Sequence, residues 1–182
     1  MRIEDEIKLD YRDVLIRPKR STLESRRDVD LHRTFKFKNG QVWTGIPIAA
    51  ANMDTIGTIE MGRVLSSFDM ITCLSKHVDS WPDDHSFKDK NMALSFGMND
   101  HDMERLLSDS GALVTREFSE HSPFFCLDVA NGYSQKFIDF VKGVREKWPE
   151  KILIAGNVVT SEMTEALLLA GADVIKIGIG PG

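Results

Sequence analysis

Lys76 stands in Ser75-Lys76-His77, directly after the apolar run 70–74. A lysine at the exit of a buried strand can hold an anionic intermediate, or donate a proton if its pKa is lowered; the same position also suits a plain surface lysine. Asp128 interrupts the apolar run 124–129. An inward carboxylate there must be paired or catalytic, or else serve as the hub of a structural hydrogen-bond network. Asn131 and Asn157 can orient a sugar hydroxyl or a base amide, or simply form turns. Gly178, Gly180 and Gly182 alternate with Ile179 and Pro181 after residues 174–177. Such a turn brings bare backbone up to an anion or a cation, a weak signal by itself that gains from following a strand. Cys73 and Cys126 lie inside apolar runs and read as inert core thiols. Asp83, Asp84 and His85 are consecutive, so their side chains do not converge, and they read as a solvated loop rather than a metal cluster.

The elements that must position these residues follow a rhythm. Apolar runs rich in branched residues occur at 46–52, 70–74, 92–96, 124–129, 151–157 and 174–180. Segments of helical period lie between several of them, at 58–68, 100–110, 134–148 and 160–172. Phe137, Phe140, Val141 and Val144 share one face of the third. Ser161, with Glu162 beside it, predicts the start of the fourth, and Gly171 its stop. Continuous apolar strands separated by amphipathic helices mean βα units and a parallel sheet.

Each run delivers polar or glycine residues at its carboxyl end: Asn52 and Asp54, Ser75 to His77, Gly97 and Asn99, Asp128 and Asn131, Asn157, and finally the glycine-rich turn. In a barrel those ends converge on one mouth. In an open sheet they would spread along an edge, with a site only at the switch point. The expected fold is therefore a (β/α)8 TIM barrel with about six of its eight βα units present, as a single domain over residues 1–182. Residues 1–45 form an N-terminal strap and hairpin, and residues 46–182 the βα units. The hairpin rests on Asn39-Gly40 between alternating runs, a dipeptide suited to a tight turn in which both positions need positive φ.

Composition agrees with a globular protein: 182 residues, 42% hydrophobic and 28% charged, with net charge −5. The balance is uneven, since residues 1–38 carry 11 basic against 8 acidic side chains, a net of +3. The basic stretch 16–27 could bind phosphate but reads rather as a solvated strap or a subunit contact, because no aromatic residues interleave its charges as single-strand binders require. The net charge argues against nucleic acid as a partner. No apolar run approaches a membrane span of about 20 residues, and the acidic start is no signal peptide. Two cysteines fit a reducing compartment. The expected location is the cytoplasm.

Together, "DVLIRPKRS", "AANMDT", "LDVANGY", "AGNVVT" and "KIGIGPG" resemble, in order and spacing over residues 8–182, the GMP reductases, relatives of the IMP dehydrogenases. The short connection between the second and third runs leaves no room for the regulatory domains usual in the dehydrogenases, which favours the reductase. The resemblance implies NADPH-dependent reductive deamination of GMP to IMP in purine nucleotide salvage, through a covalent purine–cysteine intermediate. It places that cysteine beyond residue 182, so the 182-residue stretch alone is expected to be an inactive first half. It implies Lys76 and Asp128 as catalytic residues. Asp128, Ala130, Asn131, Gly132 and Asn157 would meet NADPH, and Ala51, Met53 and Asn157 the nucleotide. The backbone carbonyls of Gly180 and Gly182 would hold potassium, and the assembly would be a homotetramer. Relatives commonly carry histidine where this chain has Ser75. Alternatives are a non-catalytic nucleotide-binding or assembly half-barrel, another phosphate-handling barrel, or an IMP dehydrogenase-like enzyme.

Overall fold

The structure, a computed structural model, describes Ile7, Leu9 and residues 11–78, 90–109 and 122–179. The chain divides into two compact units, Met1–Asp30 and Leu31–Gly182. The first contains two single turns of 3-10 helix, Tyr11–Asp13 and Arg26–Asp28. The second turn is closed by a reciprocal cap. Ser25 Oγ accepts from the Arg27 N–H, and the Asp28 carboxylate accepts from the Ser25 N–H; this satisfies donors that the turn itself leaves open.

The second unit opens with an antiparallel hairpin, β1 (Arg33–Lys36) and β2 (Val42–Gly45). Its loop differs from the expected two-residue turn. Residues 38–40 form a three-residue loop in which only Gly40 has positive φ, +85°. The Phe37 carbonyl accepts from the Gly40 N–H, and the Phe37 N–H donates to the Gln41 carbonyl, the turn-plus-bulge arrangement of three-residue loops. Asn39 is held by its side chain instead of by a left-handed backbone. Its Oδ1 accepts from the Gln41 N–H, and its amide donates to the carbonyls of Glu150 and Lys151 at 3.1 and 2.9 Å.

Six parallel strands follow: β3 (Ala49–Ala50), β4 (Ile71–Cys73), β5 (Met92–Phe96), β6 (Phe124–Asp128), β7 (Ile152–Val158) and β8 (Val174–Ile177), hydrogen-bonded in chain order. The described helices are α1 (Ile59–Ser66), α2 (Asp100–Leu107), α3 (Gln135–Lys147) and α4 (Ser161–Leu169). Strictly sequential order is the arc of a (β/α)8 barrel, whereas a doubly wound sheet reverses at its switch point. The chain thus folds as a partial TIM barrel of six strands. No helix among the described residues is long and apolar enough to cross a membrane.

Each helix starts where a short polar side chain takes a free N–H. Thr58, Asn99, Ser134 and Thr160 accept from Met61, Asp102, Phe137 and Met163 respectively. The cap of α4 is therefore Thr160, one residue before the expected Ser161, because Thr160 keeps the extended backbone that a cap requires. Gly171, at φ +110°, ends that helix as expected.

Strand alternation sorts two faces. Outward, Phe125, Leu127, Leu153 and Ala155 pack with Phe137, Phe140, Val141 and Val144 of α3 and Leu167 of α4. Inward, Cys73, Ala93, Phe124, Cys126, Ile152 and Ile154 pack with Trp43 of β2. Burying each large side chain contributes roughly 1.5–3 kcal/mol. The hairpin plugs the amino-terminal end of the arc. The Trp43 indole N–H donates to Asn91 Oδ1 at 2.8 Å, and its ring meets Phe124 edge-on at 6.3 Å. The opposite end, where the strands finish, stays open for chemistry.

Candidate active site at the carboxyl ends of the strands

Along β6, Phe124 and Cys126 belong to the inner cluster, so the period of two turns Asp128 inward as well. In β8, Val174 and Lys176 line the interior cavity while Ile175 packs on the helix side. Asp128 lies opposite Gly156, and Gly156 opposite Lys176. These three residues form one layer across β6, β7 and β8. A Cβ on Gly156 would sit 2.6 Å from the Lys176 Cβ, so only glycine lets the lysine pass over β7. The ammonium of Lys176 then forms an ion pair with Asp128. The same nitrogen donates to Asn52 Oδ1, just past β3, at 2.9 Å. Burial, the largest influence on Lys176, disfavours its charge; the adjacent Cys126 sulfur and the hydrogen-bonded Asp128 carboxylate outweigh it, and the pKa lies above the ordinary lysine value. The lysine therefore stays charged at neutral pH.

The loops after β6 and β7 are locked together. The Gly132 N–H donates to the Asn157 carbonyl at 2.8 Å, and the Asn157 N–H donates to the Val129 carbonyl at 2.9 Å. A Cβ on Gly132 would fall 2.9 Å from that Asn157 oxygen, so glycine permits the approach. The Tyr133 hydroxyl accepts from the N–H groups of Val159 and Thr160 and donates to Thr160 Oγ1 at 3.1 Å. Asn131 Oδ1 accepts from the Tyr133 N–H at 3.1 Å and shapes the turn. Ala130 and Asn131 are exposed, Gly132 is buried and Asn157 half-buried.

Ala51, Asn52, Asn157, Lys176 and Gly178 line the upper part of a cavity of about 660 Å³ whose floor includes Phe37, Trp43, Phe124 and Ile154. Met53 lies off this lining and is 60% exposed. Its carbonyl accepts from the Gly57 N–H at 2.7 Å. Lys76 is exposed and makes no hydrogen bond or ion pair with the described residues. Its neighbours are fixed: the Ser75 hydroxyl donates to Asp54 at 3.0 Å and accepts from the His77 N–H at 3.3 Å. Gly180, Gly182 and residues 83–85 lie outside the described residues.

The structure thus puts Ala51 and Asn157 in one cavity lining and joins Asp128 to it through Lys176, while Lys76, exposed after β4, is not part of that lining. It adds Lys176, which sequence reasoning passed over as part of a buried strand, and gives Asn52 a partner. Alternation in 174–177 puts Lys176 on the same face as Val174, a signal that could have found it. An apolar cavity topped by an amide, a carboxylate and an ammonium suits a flat heterocycle that carries polar edges.

A profile of the IMP dehydrogenase / GMP reductase domain matches residues 8–182. GMP reductases of Enterobacter sp. (strain 638) and Citrobacter koseri are each 50% identical to this chain over 195 and 192 aligned residues. The matches cover 100% of this chain and 53% of each relative, so the chain spans about half the length of the curated relatives it matches. Among solved structures, an inosine 5'-monophosphate dehydrogenase from Legionella pneumophila superposes with a TM-score of 0.67 at 25% identity, over 94% of this chain and 50% of that one. With its six-strand arc and with residues 8–182 matched, the chain belongs to the IMP dehydrogenase / GMP reductase domain family.

Proposed function

We propose that the protein carrying this chain is a cytoplasmic GMP reductase of purine nucleotide salvage, which converts GMP to IMP and ammonia while oxidising NADPH. The observation that carries the reading is the Lys176–Asp128 pair at the rim of a cavity of about 660 Å³, within the roughly 300–1,000 Å³ of small-molecule sites. The 50% identity to GMP reductases over the whole chain supports it.

The balanced reaction is GMP + NADPH + 2 H⁺ → IMP + NADP⁺ + NH₄⁺. NADPH supplies the hydride. The residues present fit such a ligand: Asp128 offers a partly buried carboxylate to ribose hydroxyls, and the Asn157 amide can both donate and accept at a carboxamide or purine edge. Ala130, Asn131 and Gly132 form the locked turn beside Asp128. Ala51 and Met53 flank the nucleotide. Lys176 pairs with Asp128 and orients its carboxylate. In this reading Lys76, exposed at the β4 exit, gives a proton to the departing amine. Cys73 and Cys126 are buried in the barrel interior, so the cysteine that attacks the purine in this reading lies outside these residues. Potassium on the carbonyls of Gly180 and Gly182 and a homotetrameric assembly complete the proposal.

The test is product analysis. Purified protein given GMP and NADPH should yield IMP, ammonia and NADP⁺ in equal amounts. Asp128→Ala should abolish cofactor turnover at a stability cost no greater than that of Lys176→Met, which breaks the same ion pair. NADH formation from IMP and NAD⁺ with no NADPH consumption would replace the reading by a dehydrogenase.

A further inference from the structure

We infer that Tyr133 is a positioning residue for the cofactor side of the site: its hydroxyl holds the chain after Asn157 against the turn after Asp128, and so sets the affinity for the dinucleotide. The inference rests on the reductase reading above. Tyr133 directly follows the turn 130–132 and is anchored at both ends. Its N–H donates to Asn131 Oδ1 at 3.1 Å. Its hydroxyl reaches across to the chain beyond β7. There it accepts from the N–H groups of Val159 and Thr160 at 3.0 Å each, and donates to Thr160 Oγ1 at 3.1 Å.

Asn157 lies between these anchors. Both of its main-chain groups bond to the β6 side, to Val129 and Gly132, and it lines the cavity. Held at that point alone, the segment 157–160 could pivot; the Tyr133 hydroxyl is a second point beyond it that stops the pivot. Thr160 also caps α4, so the same oxygen fixes the start of that helix to the turn beside Asp128.

A phenol offers one donor and two acceptor positions, and all three are filled. Tyr133 therefore acts through its neighbours and does not itself hand a proton to substrate. Burial pushes its pKa up, but the hydrogen bonds to Thr160 and to the Val159 and Thr160 N–H groups outweigh this and hold it below the ordinary tyrosine value; an oxygen that mainly accepts behaves so. Val159 and Thr160 are exposed, so water can take their N–H groups when the hydroxyl is removed. Tyr133→Phe then keeps the fold and loses the alignment. Ala51 and Met53, assigned to the nucleotide, follow β3 and are not part of this lock, so the loss falls on the cofactor.

The experiment is steady-state kinetics of the purified protein that carries this chain, wild type and Tyr133→Phe, with NADPH and GMP varied in turn. The KM for NADPH should rise about 10-fold, the scale of one lost hydrogen bond together with a loop that must now be ordered on binding. The KM for GMP and the melting temperature should stay unchanged. Without ligands, amide hydrogen exchange over residues 157–160 should be faster in the variant. An unchanged KM for NADPH, a fall in kcat alone such as loss of folded enzyme gives, or unchanged exchange overturns the inference while the reductase reading stands. Wild-type protein that does not turn over GMP with NADPH overturns that reading, and this inference with it.

Discussion

Lys176, on the last strand, donates to Asn52 beyond the first at 2.9 Å while it pairs with Asp128 of β6. Because β3 and β8 are the two edges of the sheet, one ammonium ties both edges to the middle of the arc. Hydrogen bonds to charged groups contribute about 1.5–3 kcal/mol, and this pair is little more than a quarter exposed. Lys176→Met should therefore destabilise the fold by about 2 kcal/mol at neutral pH.

The pH dependence of that loss has a definite sign. The folded pKa of Lys176 lies above its ordinary value of 10.5. Its contribution is then complete below that ordinary value and is lost as pH rises through the raised one. The difference in urea-unfolding free energy between wild type and Lys176→Met should be flat through neutral pH and shrink above about pH 10.5. A difference that stays constant far into the alkaline range would mean that the ammonium makes no net interaction in the folded state.

Lys76 should behave differently from Lys176, although the proposed reaction uses both. It is exposed and without a described partner, so Lys76→Ala should leave the melting temperature unchanged. In the active enzyme the same change should lower GMP turnover at least ~10²-fold, the scale of one positioned proton donor. Normal turnover in this variant would remove Lys76 from the mechanism, and a large loss of stability would assign it a structural role.

The strands, their order and the mouth were legible because apolar runs of strand length, helical periods between them and polar residues at each exit all agree. Asp128 stood out as a lone charge in an apolar run. Lys176 did not, since its meaning depends on register: nothing in 174–177 says that Gly156 will lie between it and Asp128. The hairpin was legible and its turn was not, because the side-chain bonds from Asn39 to Glu150 and Lys151 are contacts across more than a hundred residues.

The register that presents Lys176 depends on a second, more buried ion pair. Arg145 of α3 pairs with Asp173, the residue before β8, and donates to the carbonyls of Gly171 and Lys151 at 2.9 and 2.8 Å. Asp173, only 5% exposed, also accepts from the Leu153 N–H. Arg145→Ala would leave this buried carboxylate without its cation and remove the side-chain donor to the Gly171 carbonyl, a loss of about 3–5 kcal/mol for a broken buried pair. At about 2–4 °C per kcal/mol for a chain of this size, the melting temperature should fall by roughly 10 °C. Arg145→Lys should recover only part of it, because an ammonium keeps the charge but not the fork that reaches several acceptors at once. In a double-mutant cycle, Arg145→Ala with Asp173→Ala should cost clearly less than the sum of the single changes. Strict additivity, measured by urea unfolding, would show that the two side chains act independently and that β8 takes its position from sheet pairing alone.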